Sequence, residues 1–256
     1  MSRPPLLPRY STQDATAAGR YLSPLRYPGG KATIAQHLGD VYLAQHSDMP
    51  IEIWIEPFAG GAGAALDLLN RDVVDEAWPV DAHPALAAFW ATVADDGERL
   101  AALVARTVPT MQLWEQSREV LDAESADTFD LAYSAFIVNR CSRSGIVAPR
   151  SGPMGGRHQT GRYTIASRFN GPALADRILH VHGFGSRLRV HHGDGIGYIE
   201  QLNDSGIVDE VVLFVDPPYI AEGNRLYTNG MDQAGHRRLA DALHATEARW
   251  LLTYDN

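Results

Sequence analysis

The tetrapeptide Asp216-Pro217-Pro218-Tyr219 joins an acid, two rigid prolines and an aromatic ring directly after the apolar run Val211-Val212-Leu213-Phe214-Val215. A run of that kind makes a central parallel strand, so the four residues lie at a strand's carboxyl end, where open α/β sheets bind their ligands. The chemistry that suits them is group transfer to an exocyclic amine of a nucleobase. The lone pair of such a nitrogen is delocalised into the ring, and the atom becomes a usable nucleophile when acceptors hold it toward tetrahedral geometry. Asp216 and the Pro217 carbonyl are two such acceptors, the prolines stiffen the turn, and Tyr219 offers a face on which an extruded base stacks, worth about 1–3 kcal/mol. The plain alternative is an Asp-Pro turn without chemistry.

The elements that must position these residues are legible on both sides of them. Ile51 to Ile55 is a short strand pattern that ends at Glu56-Pro57-Phe58-Ala59-Gly60-Gly61-Ala62-Gly63, and an apolar helix from Ala64 to Leu69 follows. Strand, glycine-rich turn, helix is the opening unit of a nucleotide-binding sheet. Upstream, Pro24-Leu25-Arg26-Tyr27-Pro28-Gly29-Gly30-Lys31 reads as a loop feeding a helix from Ala32 to about Ala44. A second strand over Ala77 to Val80 ends at Asp81, with a helix from Pro84 to Val93. Helical periodicity then fills Glu98 to Phe136, and Gly145 to Gly161 is loop-like. Strands return at Leu188 to His192 and Val211 to Val215, followed by a helix from Gln233 to Ala245 and a strand from Trp250 to Tyr254. The spacing predicts an α/β domain over 21–97 and 188–256, interrupted by a helical and loop insertion over 98–187, behind a flexible segment 1–20.

Charge is unevenly distributed along the 256 residues. The net charge is −9, which argues against a protein that coats polyanions generally. From Ile137 to His192, however, nine arginines face one acid, Asp176; this local +8 leaves −17 for the rest of the chain. An arginine-rich, glycine-rich segment within an acidic body is the arrangement expected of a phosphate-contacting region, the alternative being a solvated surface. Lys31 is the only lysine. The lone Cys141 forms no internal disulfide, no apolar stretch is long enough to span a membrane, and the N-terminus lacks a signal-peptide pattern, so a soluble cytoplasmic protein is expected. Five of the ten histidines fall in the basic segment without acidic or cysteine partners at ligand spacing, and no metal is expected.

These motifs, in this order, resemble the Dam-type DNA adenine N6-methyltransferases of the alpha class. The likeness covers residues 23–256: the Pro24 to Lys31 stretch is similar to the family's N-terminal cofactor motif, Glu56 to Gly63 to its glycine-rich motif, and Asp216 to Tyr219 to its catalytic motif. It implies a Rossmann-like methyltransferase fold with a mixed, mostly parallel sheet and a helical DNA-recognition insertion. It also implies S-adenosyl-L-methionine as cofactor and double-stranded DNA as partner, and it leaves open a restriction endonuclease in the same system. Carried over by position, Asp216, Pro217, Pro218 and Tyr219 are catalytic. Tyr27, Gly30, Lys31, Glu56, Pro57, Phe58, Gly60, Gly61, Asp81, Asp194 and Asp216 bind the cofactor. Within that set Gly60 and Gly61 admit its methionine part, Phe58 packs beside it, Asp81 accepts from ribose hydroxyls and Asp194 from the adenine amine.

DNA contacts are expected from Asn139, Arg140, Arg143, Arg150, Arg157, Arg162, Arg168 and Asn170. Asn139-Arg140, Gly145 and Arg168-Phe169-Asn170 resemble family segments, whereas the Arg150 to Arg162 loop is less similar and carries no recognition sequence. Without the resemblance, Asp81 reads equally as a helix N-cap, Asp194 as a turn residue and Lys31 as a surface cation. A cytosine N4-methyltransferase needs the same acceptors, a non-catalytic DNA-binding module would keep the same scaffold, and RNA would use the same stacking and arginine contacts. The family's chains continue past a strand like Leu251-Leu252-Thr253-Tyr254 into further strands, whereas this sequence stops at Asn256.

Overall fold

The computed structural model describes residues 22–27, 30–45, 51–123, 126–145, 147–148, 151–218 and 231–254. Arg150 and Tyr219 lie outside the described residues. Among these residues five strands form one sheet: β1 (Ile51–Glu56), β2 (Val74–Asp81), β3 (His191–His192), β4 (Val211–Val215) and β5 (Arg249–Leu252), in the order β3-β2-β1-β4-β5. Every described strand pair is parallel, where a mixed sheet is expected from the sequence. From β1 the chain works outward to β3, then returns to lay β4 against the other edge of β1. Strand order therefore reverses between β1 and β4, which is where such sheets open a crevice at their carboxyl ends.

Two apolar layers cover the sheet, and the alternation of side chains decides which residue enters which. On one face Trp54 and Phe214 stack with ring centroids 5.5 Å apart, beneath the helices α1 (Ala35–Gln45), α2 (Gly63–Asn70), α3 (Pro84–Arg106), α5 (Thr128–Cys141) and α6 (Gly171–His182). On the other, Ile53, Ile55, Val211, Leu213 and Val215 pack under α7 (Gly195–Gln201) and α8 (Gln233–Ala245). β4 is buried along its whole length, as its unbroken apolar run requires.

Residues 98–187 hold no core of their own. The border near 97 falls inside α3, which runs through it with a kink at Asp96, and α3, α5 and α6 bury their apolar faces in the same cluster as the sheet's helical side. The amphipathic α4 (Met111–Asp122) joins that cluster through Trp114.

Most differences from the sequence reading are at element ends. The first helix begins with a 3₁₀ turn over Lys31–Thr33 before α1, β2 starts at Val74, and β5 stops at Leu252. The strand expected over 188–192 survives only as His191–His192 plus a bridge from Leu188 to Ala77. Pro79 explains the gap. The carbonyls of Ala77 and Asp81 accept from Arg189 N and Gly193 N, so alternate residues of β2 face β3, and Pro79 between them has no N–H to give. Two helices, α6 and α7, lie where the sequence reading assigns no helix.

Candidate active site

At the carboxyl end of β4, Asp216 is held from two sides. Its Oδ2 accepts from Lys31 Nζ at 2.5 Å and its Oδ1 from Thr253 Oγ1 at 2.6 Å. Thr253 is fixed in turn by its own N–H, which bonds the Val215 carbonyl and extends the β4–β5 ladder by one step. The Lys31 and Asp216 side chains keep 17% and 22% exposure, so the pair is reachable from outside yet partly shielded. Pro217 is buried and Pro218 half-buried. The sequence reading assigns Lys31 to the cofactor; the structure brings it to Asp216. Thr253 escapes the sequence reading altogether, because nothing local shows that β5 ends beside β4.

The end of β1 supplies a second acid. Glu56 is 4% exposed and its Oε1 accepts from Trp54 Nε1 (3.2 Å) and Ala65 N (2.6 Å), the latter an otherwise partnerless amide in the first turn of α2. Burial pushes its carboxyl up to about 7, with Asp216 adding to the rise, while those two hydrogen bonds and the nearby Lys31 pull the other way. One lysine thus faces two carboxylates.

Between β1 and α2 the glycine-rich turn folds tightly. Gly60 has φ +47°, and a Cβ there would lie 2.5 Å from the Tyr27 ring; one on Gly61 would lie 2.8 Å from Tyr27 Cβ. The two glycines therefore let the Tyr27 ring lie against the turn. Asp81, at the end of β2, holds the same turn: Oδ2 accepts from Gly60 N and Oδ1 from His83 N, both at 2.8 Å, and burial raises its carboxyl above the usual range. Gly30 is exposed and its N–H bonds the Tyr27 carbonyl, and Phe58 is half-buried against the second apolar layer.

Asp194 caps α7. Its Oδ1 accepts from Ile196 N and its Oδ2 from Gly197 N and Arg238. Burial acts to raise its carboxyl, but the Arg238 hydrogen bond and the two amides outweigh it and hold it below the usual carboxylate range. The neighbouring Gly195 approaches Pro57 so closely that a Cβ would sit 2.1 Å from its carbonyl oxygen, which places the β3 and β1 turns in contact. Three acids, Asp81, Glu56 and Asp216, thus stand at the carboxyl ends of the adjacent strands β2, β1 and β4, with Asp194 just past β3.

The residues expected to contact DNA separate into two groups. Asn139 is fully buried, accepting from Arg26 N (2.8 Å) and donating to the carbonyls of Arg26 (2.8 Å) and Gly145 (2.5 Å); its side chain pins the N-terminal segment to α5 and meets no surface. Asn170 is the N-cap of α6, accepting from Ala173 N. Arg140 donates to the carbonyls of Arg168 and Pro24, and burial, helped by Arg26, Arg177 and Arg168, pulls its guanidinium down to about 10. Of these three, Asn139 is buried away from the surface, whereas Arg140 is half-buried and Asn170 exposed, each also engaged in structural bonds. Arg143, Arg157, Arg162 and Arg168 are exposed. Arg143 and Arg157 line a cavity of about 500 Å³ with Ser144, Ser151 and Gly156, and Arg162 and Arg168 flank the exposed Tyr163 ring at 5.7 and 5.9 Å. Arg26, which the sequence reading leaves without a role, donates to the Ser142 and Arg143 carbonyls and is lowered by burial and by Arg168.

Among the described residues no helix is long and apolar enough to cross a membrane, and no cluster of three or more His, Cys, Asp or Glu could hold a metal. Neither known protein-family models nor curated proteins give a match to this chain.

Proposed function

We propose that the protein transfers a methyl group from S-adenosyl-L-methionine to adenine N6 in duplex DNA, as a Dam-type methyltransferase would. The observation that carries this reading is the setting of Asp216: an acid followed by two prolines, at the carboxyl end of a fully buried strand, in the crevice where strand order reverses, oriented through both oxygens by Lys31 and Thr253. A carboxylate offers about four acceptor positions, and these two bonds fix its orientation at the strand end. Asp216 and the Pro217 carbonyl then orient the amine for in-line attack, and Asp216 stabilises the positive charge that develops on nitrogen as the methyl group arrives.

The chain's residues suit an adenosyl ligand. Asp81 is a half-buried acceptor at the end of the strand next to β1, in the place where nucleotide-binding sheets receive a ribose diol, and Asp194 stands at the next strand end. In this reading Asp81 takes the ribose hydroxyls, Asp194 the adenine amine, and Tyr27 lies over the turn beside them. The bound cofactor supplies an electrophilic methyl group on a sulfonium. Glu56 holds the first turn of α2 and shares Lys31 with Asp216, so neutral pH is where the charge of the crevice changes. The exposed Arg143, Arg157, Arg162 and Arg168 contact phosphates.

The test is to incubate the protein with S-adenosylmethionine labelled on the methyl group and duplex DNA from a methylation-free host, then hydrolyse the DNA and identify the labelled nucleoside. N6-methyl-2′-deoxyadenosine is expected, with Asp216→Ala at least about 10³-fold slower. Labelled N4-methyl-2′-deoxycytidine would replace adenine with cytosine as the target. Cofactor and DNA binding without transfer would leave a binding module.

A further inference from the structure

Gly60, Asp81 and His83 are joined to the arginine-rich loop by an unbroken series of contacts. Asp81 takes Gly60 N on one oxygen and His83 N on the other. The His83 ring then works at both nitrogens: Nδ1 accepts from Ala85 N at 3.2 Å, capping α3, while Nε2 donates to the Val147 carbonyl at 3.0 Å. A carbonyl only accepts, so the proton sits on Nε2, and this one neutral tautomer satisfies both ends. Val147 is two residues from Gly145, whose carbonyl accepts from Asn139. Asn139 bonds both the N–H and the carbonyl of Arg26, and the adjacent Tyr27 ring returns to Gly60. The contacts close a ring in which the glycine-rich turn is linked to both ends of the short stretch 145–147. Ala148, next along, has its carbonyl tied to Arg118 of α4, a tether that does not lead back to the crevice.

From this ring we infer that His83 is a positioning residue that couples occupancy at Asp81 to the placement of the arginine-bearing loop, and so couples cofactor binding to DNA binding. The inference rests on the methyltransferase reading for the identity of the two ligands. A diol that bonds Asp81 bonds the carboxylate that also holds Gly60 N and His83 N, so it fixes that carboxylate and with it the start of α3. The imidazole converts that fixation into a constraint on Val147 through a single hydrogen bond. The stretch on either side of Val147 carries Arg143, Arg157 and the cavity between them; among its described residues Arg143 N bonds the Gly152 carbonyl and Met154 N the Cys141 carbonyl at the end of α5. Two ligands that each favour the same loop placement bind with positive coupling, and coupling of this kind spans about 5–150-fold in affinity.

The substitution His83→Asn separates the two functions of the ring. Asparagine is a good N-cap and keeps the bond to Ala85 N, but its amide stops short of Val147. His83→Gln reaches further, and its side-chain amide restores a donor toward the Val147 carbonyl. With S-adenosylhomocysteine as the probe on the full chain, calorimetry gives its affinity, amide exchange reads residues 143–165, and titration with an unmethylated duplex gives DNA affinity with and without the probe. In the parent protein the probe is expected to slow exchange in 143–165 and to tighten duplex binding about 10-fold. His83→Asn should bind the probe within about 3-fold of the parent yet lose both effects, and His83→Gln should regain part of them. Retention of both effects in His83→Asn overturns the inference. So does a parent protein that binds the probe with no change in loop exchange, an outcome that leaves the methyltransferase reading intact. Absence of probe binding by the parent overturns that reading and the inference with it. If both variants lose the probe together with cooperative unfolding, His83 is structural only and the coupling role falls.

Discussion

The crevice and the arginine-rich segment solve the problem of charge in opposite ways. In the crevice, opposite charges close on one another: Lys31 meets Asp216, Glu56 lies within the same field, and Arg238 reaches both Asp194 and Glu200. In the segment from Arg140 to Arg177, none of the described arginines comes within ion-pair distance of a carboxylate. Those that are partly buried, such as Arg140, give their N–H groups to backbone carbonyls instead. Carbonyls satisfy a guanidinium's hydrogen bonds without cancelling its charge. The trailing arginines show the contrast within one stretch of chain, since Arg187 pairs with Asp72 and Arg189 with Glu76 once the backbone runs beside β2. Clustered positive charge left uncancelled costs stability through self-repulsion, and the lowered Arg26 and Arg140 record that cost on top of their burial; an anionic partner would remove it.

The largest effect should come from opening the closed side. Lys31→Met leaves Asp216 and Glu56 without their shared cation, and methyl transfer is expected to fall about 10²–10³-fold with duplex affinity within a few-fold of the parent; an equal loss in both would place Lys31 on the DNA. Glu56→Gln sharpens the same side through pH. Because the folded protein holds the Glu56 proton up to about pH 7 while the unfolded chain releases it nearer 4.5, the parent loses stability as pH rises through that window, by at most about 3 kcal/mol. In Glu56→Gln that slope should vanish, which denaturant melts at pH 5 and pH 8 would show.

On the other side, Arg140→Leu removes a cation but strands the carbonyls of Arg168 and Pro24. The hydrogen bonds should outweigh the relieved repulsion, giving a loss of about 2 kcal/mol by chemical denaturation; a more stable variant would mean that repulsion dominates. The smallest change in the free protein should follow Arg157→Ala with Arg162→Ala. Both are exposed, so unfolding should shift by less than about 0.5 kcal/mol, while duplex binding weakens for all sequences alike and its log-log salt slope becomes shallower by roughly 1 for each phosphate no longer neutralised.

How much of this was legible in the sequence depended on distance along the chain. β4 and α8 lie where periodicity puts them, and the glycine-rich turn is where its composition says, because each is decided by residues a few positions apart. The helix α6 was written in Asn170-Gly171-Pro172, an N-cap with proline at the helix start, a signal obscured by its reading as a recognition segment. Asp194 before Gly195 carried the same kind of N-cap signal for α7. What could not be read is what depends on register or on remote partners. The loss of strand at 189–190 follows from which edge Pro79 faces, and the burial of Asn139 from a partner 113 residues away. The family resemblance singled out Asn139 and gave no means of telling a surface contact from an internal clamp.

The pairing of β1 with β4 has a further consequence. Ile53 aligns with Val211, so the two central strands of the sheet are among the most distant in sequence. During synthesis β1 and β2 can find each other soon after they emerge, but the other edge of β1, with Ile53 and Ile55, has no partner until some 155 further residues have been made. Such remote closure is slow, and an open apolar edge is a place where chains stick to one another. The crevice is therefore completed late in assembly, and it is the part whose yield should suffer first when the chain is made quickly or at high temperature.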